Sequence, residues 1–333
     1  MITRDKNPYF VNDFLDYSAT ILNKSSNTIK EYNYDIAHFL KYISYKFEEI
    51  KIDSEEFIKE IDIKNMTLTT VSKITLQDIH SFLAYLKNCY NSKPATLARK
   101  TACIRVFFKY LCNKTKQIPN NPAQDLESPK IGKRLPKYLT LDESRKLLNS
   151  AKEPDPKSHG NHDNSIRDFA IITLFLNCGM RLSELTGINM NDIDFENNKL
   201  TVIGKGNKER TIYLNKACIK AINAYLAIRP HDGVKFDSRN ALFLSEQRKR
   251  ISNRSVQYIV KQEFKLAGID SNKYSVHKLR HTAATLMYKY GQVDIRALQE
   301  VLGHESISTT EIYTHVDNDQ IRSAIESNPL ANE

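Results

Sequence analysis

The stretch "HKLRH" at residues 277–281 sets His277 and His281 four positions apart, with Arg280 beside the second. The apolar period around it predicts a helix over 277–289, which puts both histidines on one face. Three readings are open at this point: a metal pair, a grip on phosphate, and histidines hydrogen-bonded in a core. A zinc hydrolase of the HExxH kind needs a glutamate directly after the first histidine. Lys278 stands there instead, and Arg280 would repel a dication. No metal is expected.

Phosphoryl transfer without a metal requires cations on the non-bridging oxygens. Arginine suits this, because its planar fork of donors matches two phosphate oxygens at once. A second arginine, Arg181, lies in "GMRLSEL" (179–185), directly after an apolar run that ends at Gly179. Lys205 lies in "GKGNKER" (204–210), a glycine-bearing turn from which a lysine can reach an open substrate. "GHESISTTEIYTH" (303–315) places Tyr313 nine residues after His304. Taken singly, these residues read as a salt-bridge arginine, a basic hairpin turn and one of seventeen tyrosines.

The chain has 333 residues, enough for two domains with separate cores. Its formal charge of +10 favours a polyanionic partner. Five cysteines, Cys89, Cys103, Cys112, Cys178 and Cys218, are scattered with no CxxC spacing. A disulfide framework and a structural zinc site are not expected, and a reducing cytoplasm is. "MITRDKNPYF" (1–10) shows no apolar signal core. The most apolar run, "FAIITLFLNCGM" (169–180), is too short for a bilayer and predicts a buried helix.

Residues 1–127 read as a bundle of four amphipathic helices. Asn7 as a candidate cap and Pro8 in the first turn mark the start of the first. Stripes of Ile29, Tyr32, Ile36, Phe39, Leu40 and Ile43, of Ile79, Phe82, Leu83 and Leu86, and of Leu97, Ile104, Phe108 and Leu111 mark the others. Seven acids crowd residues 48–62, whereas the rest of 1–127 holds sixteen basic residues and eight acidic ones. If this bundle grips DNA, the acidic insert should point away from it. Residues 128–136 form a Pro-bearing basic linker, and 137–333 form the second domain. There "TLDE" (140–143) spells a capping box, and 153–164 is a polar loop. Residues 192–214 alternate and turn twice, which predicts a three-stranded antiparallel meander. Helical patterns continue over 215–228, 254–266, 294–302, 306–313 and 318–326.

"GMRLSEL", "GKGNKER", "HKLRH" and "LGHESISTTEIYTH" follow one another within 137 residues. Together they resemble the tyrosine recombinase/integrase family, closest to its Xer-like bacterial branch. The match covers about 137–326. The resemblance implies a mainly α fold with a small antiparallel meander: an N-terminal helical core-binding bundle, SAM-like, before a catalytic domain. It implies that Arg181 and Arg280 clamp the scissile phosphate and that Lys205 gives a proton to the leaving 5′ oxygen. It makes His277 an acid/base and phosphate contact, His304 a support for phosphate and nucleophile, and Tyr313 the nucleophile. Glu184 and His281 become supporting residues around these. The implied reaction is site-specific cutting and rejoining of double-stranded DNA through a 3′-phosphotyrosine, with no ATP, metal or other cofactor. The implied assembly is a homo- or hetero-tetramer on two sites. The biological setting is open between chromosome segregation and integration or transposition of a mobile element. A type IB topoisomerase-like activity and a catalytically silent DNA-binding factor are the other readings.

Overall fold

The computed structural model describes residues 4–47, 60–132, 137–152, 162–204, 208–291 and 293–303. The chain divides into two compact units, Met1–Lys133 and Arg134–Glu333. Most of the acidic insert (48–59), linker residues 133–136, residues 153–161 of the expected loop 153–164 (its last three open a helix instead), Lys205, His304, Tyr313 and the helices expected over 306–313 and 318–326 lie outside the described residues.

The N-terminal unit holds α1 (Tyr9–Thr20), α2 (Ser26–Phe47), α3 (Leu68–Ser72), α4 (Leu76–Tyr90) and α5 (Pro94–Lys109). Of the four long helices, α1 starts just after Asn7 and Pro8, α2, α4 and α5 are those the apolar stripes predict, and α3 adds a short turn. Eleven of the fourteen stripe residues named above are buried, and Ile29, Tyr32 and Leu83 pack partly buried against them. They join Phe10, Phe14 and Phe107 in one aromatic-rich core. Each large side chain removed from water there contributes about 1.5–3 kcal/mol. Local chemistry fixes the helix ends. Thr75 accepts from the Asp78 N–H while Asp78 accepts from the Thr75 N–H, and α4 stops at Asn91 in the left-handed region (φ 46°). Asn7 does not cap α1. Its Nδ2 donates to Asn12 Oδ1 at 3.1 Å and Asn33 Oδ1 at 2.8 Å, tying α1 to α2 instead. Asp35 on α2 is 1% exposed and is held by Lys100 Nζ at 2.7 Å and by both terminal nitrogens of Arg99, all on α5. On α5 itself, Arg105 donates from Nε to Leu126 O at 2.7 Å, which fastens the segment just before the linker.

The second unit is built around α7 (His162–Cys178), with α6 (Leu141–Lys152) before it. Thr140 and Glu143 make the expected capping box of α6, with bonds of 2.8 and 3.1 Å. Ala170, Ile171, Ile172, Leu174 and Phe175 of α7 are all at 0% exposure, as the apolar run predicts. A short α8 (Leu182–Gly187) leads to the sheet of β1 (Ile193–Asp194), β2 (Lys199–Ile203) and β3 (Glu209–Tyr213). The sheet is the expected antiparallel meander, in the order β1-β2-β3. The remaining helices are α9 (Lys216–Leu226), α10 (Asn253–Leu266), α11 (Val276–Gly291) and α12 (Ile295–Leu302). Helices α6, α9, α10 and α11 all pack on α7.

Strand alternation decides what the sheet shows to the body. On β2, Leu200 and Val202 are buried, while Thr201 and Ile203 are exposed. Opposite them, Ile212 faces Leu200 and Arg210 faces Val202. Arg210 therefore points inward with Ile212, and an inward arginine needs an acceptor.

Candidate active site

Helix α7 ends where Gly179 takes the left-handed conformation (φ 58°). A side chain there would also crowd Leu302 Cδ2 at 3.0 Å. The reversal delivers Arg181 to the position just before α8. Glu184, in the first turn of α8, reaches back. Its Oε2 accepts the Arg181 backbone N–H at 2.7 Å, and its Oε1 accepts Arg181 Nη1 at 2.8 Å. The same carboxylate accepts from Arg210, Nε to Oε1 at 3.2 Å and Nη2 to Oε2 at 2.9 Å. Glu184 is 2% exposed. Burial alone would raise its pKa, but the bonds and charge of Arg210, then of Arg181, hold it below the usual carboxylate value.

Arg280 comes from the first turns of α11 and is 3% exposed. Its Nη1 donates to Gly179 O at 2.7 Å and its Nη2 to Leu302 O. Arg181 Nη2 donates to Gly303 O at 2.6 Å. The two guanidiniums thus hold successive carbonyls, Leu302 and Gly303, immediately before His304. Gly303 is left-handed (φ 62°), and a Cβ there would meet Arg210 Cδ at 2.7 Å.

Arg181, Arg280 and His277 line one cleft of about 720 Å³, together with Asn253, Lys261 and Tyr274. His277 is exposed within it. Partial withdrawal from water, then the charges of Arg280, Lys278 and Arg181, lower its pKa below the ordinary histidine value. These effects favour the neutral ring, the form that can accept a proton. Its centroid lies 4.6 Å from that of His281, with the planes at 86°. Among the described residues no group of three or more His, Cys, Asp or Glu could hold a metal ion.

Of the expected site residues, Arg181, Glu184, His277, Arg280 and His281 come together. Lys205 lies outside the described residues, but its neighbour Gly204 opens the β2–β3 turn beside the pair. A Cβ on Gly204 would lie 3.7 Å from Glu184 Oε1 and 3.9 Å from Arg181 Nη1. Arg210 was not anticipated. Its signal was the alternation of "ERTIY" (209–213), which sets a cation on the face that buries Ile212.

Comparison with known proteins supplies independent footing. Residues 137–320 match the model of the phage integrase family. The chain is 51% identical over 328 residues to tyrosine recombinase XerC of Caldanaerobacter subterraneus subsp. tengcongensis, covering 98% of this chain and 89% of the relative. It is 33% identical over 330 residues to tyrosine recombinase XerC of Thermodesulfovibrio yellowstonii, covering 98% of each. In fold it resembles the XerH site-specific recombinase in its post-cleavage complex with palindromic difH substrate, at a TM-score of 0.70, 21% identity and 98% coverage of each chain.

Proposed function

The chain belongs to the phage integrase family of tyrosine recombinases, and on that footing we propose how its residues divide the work. The enzyme is an Xer-like site-specific recombinase that breaks and rejoins DNA strands through a tyrosine. Arg181 and Arg280 bind the non-bridging oxygens of the scissile phosphate. Tyr313 attacks phosphorus to give a 3′-phosphotyrosine, and Lys205 protonates the departing 5′ oxygen. His277 manages a proton at the phosphate, and His304 supports phosphate and nucleophile. One phosphate ester replaces another, so no ATP is consumed.

One observation carries this reading. Arg181 and Arg280, 99 positions apart in sequence, line one cleft and grip the two carbonyls that precede His304. A phenol with a pKa near 10 is a poor nucleophile at neutral pH. A pocket with two fixed guanidiniums favours its anion. Arginine anchored at its plane also presents donors without reorganising during reaction.

The N-terminal unit is the core-binding domain in this proposal, joined through residues 128–136 to a catalytic domain at 137–333. The two domains hold duplex DNA, and four protomers, alike or of two kinds, assemble on two sites. The setting is the cytoplasm, where recombination supports chromosome segregation. No described helix is long and apolar enough to cross a membrane.

The test is covalent capture. A DNA substrate nicked beside the cleavage point loses its 5′ fragment and traps the enzyme on the 3′ end. The unaltered enzyme should be trapped, and Tyr313→Phe should bind the same DNA without being trapped. Equal trapping of the two would remove Tyr313 as nucleophile.

A further inference from the structure

We propose that Arg210 is a positioning residue for strand cleavage, acting through Glu184 to keep the charge of Arg181 available to the scissile phosphate. The proposal rests on the reading of Arg181 as a phosphate clamp and adds a requirement to it.

The geometry begins with strand register. Arg210 lies across from Val202 and shares the inner face of β3 with Ile212. From there its guanidinium makes three contacts: Glu184 Oε1, Glu184 Oε2 and the carbonyl of Val301 in the last turn of α12. The Glu184 side chain is fully buried, that of Arg210 is 13% exposed, and that of Arg181 is 33% exposed. The carboxylate therefore lies between an inner arginine and an outer one.

Charge explains why two are needed. A buried carboxylate with a single arginine partner would draw that arginine onto both its oxygens, and the pair would be neutral. Arg181 alone would then be spent on Glu184. With Arg210 supplying the second cation, two arginines and one glutamate leave a net charge of +1, and the excess lies on the more exposed partner, Arg181. Arg181 gives Nη1 to Glu184 and Nη2 to Gly303 O. A guanidinium has five N–H donors, so these two bonds set its plane without exhausting it.

The contact with Val301 extends the same control to the next segment. Gly303 turns directly over Arg210, so close that a Cβ would overlap Arg210 Cδ. One side chain thus braces Glu184 from behind and floors the turn that leads to His304.

A purely structural role predicts that removing Arg210 and Glu184 together is at least as harmful as removing Arg210 alone. Charge compensation predicts the reverse. Arg210→Met leaves Glu184 underbalanced and pulls Arg181 inward, whereas Arg210→Met with Glu184→Gln removes both charges. Single-turnover cleavage of the nicked DNA substrate, with half-site binding and thermal melts measured alongside, separates the two. Arg210→Met should cleave about 100-fold slower than the unaltered enzyme, the scale of losing one oriented donor to a developing anion. The double variant should recover about tenfold of that loss. A methylphosphonate at the scissile position removes the non-bridging charge, and the Arg210→Met deficit should shrink on it. Should Arg210→Met melt below the assay temperature, Arg210→Gln serves in the same pair of comparisons. A double variant no faster than the single overturns the proposal. Arg181→Ala is run in parallel. If it is inactive while the Arg210 variants cleave normally, the proposal alone fails. If Arg181→Ala cleaves normally, the clamp reading fails and takes the proposal with it.

Discussion

Arg280 donates from Nη1 to the Gly179 carbonyl at 2.7 Å, across 101 residues of chain. The bond joins the end of α7 to the start of α11, and its partner bond reaches Leu302 on α12. A side chain 3% exposed is thus the crosspiece of three helices as well as a cation in the cleft.

Lysine cannot replace it, because one ammonium cannot face both carbonyls and the substrate in a plane. Arg280→Lys should lower strand cleavage by about 100-fold or more. It should also cost about 1–3 kcal/mol of stability, as buried carbonyls lose their donors. Cleavage assays and urea unfolding measure the two effects. A lysine variant with unaltered cleavage would mean that charge alone suffices.

Asp35 concentrates charge inside the N-terminal unit. Asp35→Ala strands Lys100, which is 4% exposed, and should destabilise that unit by about 3–5 kcal/mol. Adding Lys100→Met removes the stranded ammonium and should return most of the loss. Arg99 keeps its contact with Glu31 at 3.0 Å in either case. Unfolding of the full chain followed by hydrogen exchange on α2 and α5 reads the difference. A double variant no more stable than Asp35→Ala would contradict this.

Glu263 on α10 gives the pH prediction. Burial, then the nearby charge of Asp168, pushes its pKa up to about 7, against a weaker opposing bond from Ser150. The folded state therefore holds this proton more tightly than the unfolded chain does. Stability falls as pH rises from the ordinary glutamate value toward about 7 and levels off above it. Glu263→Gln cannot ionise. It should raise the melting temperature by a few degrees at pH 8 and have little effect at pH 5. A gain equal at both pH values would assign the effect to packing.

Thr282 accepts the backbone N–H of Leu139 at 2.9 Å in a fully buried position. Thr282→Val keeps the shape and deletes the acceptor, so it should cost about 1–3 kcal/mol in urea unfolding. Loss of protection at the Leu139 amide would locate the effect.

Much of this architecture was readable from residue pattern. The stripes of α2, α4 and α5 turn up as cores because each apolar residue recurs at helical spacing. The Thr140 and Glu143 box and the meander turns are equally local signals. What escaped depends on distance in space. The α8 helix is six residues long, too few turns for a period to declare itself. Asn7 caps nothing because the helix starts one residue later, with Pro8 at the cap position, and its amide nitrogen goes to Asn33 on another helix. Arg229 is 5% exposed and holds the carbonyls of Arg239, Ala241 and Leu242, an irregular stretch with no periodicity to read. At the site, the motifs pointed to Arg181, Glu184, His277 and Arg280, which the structure brings together, whereas Arg210 became meaningful only once β3 carried it to Glu184 of α8.

The perpendicular stacking of His277 and His281 has a spectroscopic use. Rings 4.6 Å apart at 86° place carbon-bound protons of one imidazole within the ring-current field of the other. Their resonances are therefore displaced from those of an isolated histidine, and any rotation of His277 shifts both rings at once. With nine histidines in the chain, this pair is a built-in NMR reporter. Filling of the cleft by a phosphate-bearing strand can be followed on the unlabelled side chains, before any bond is cut.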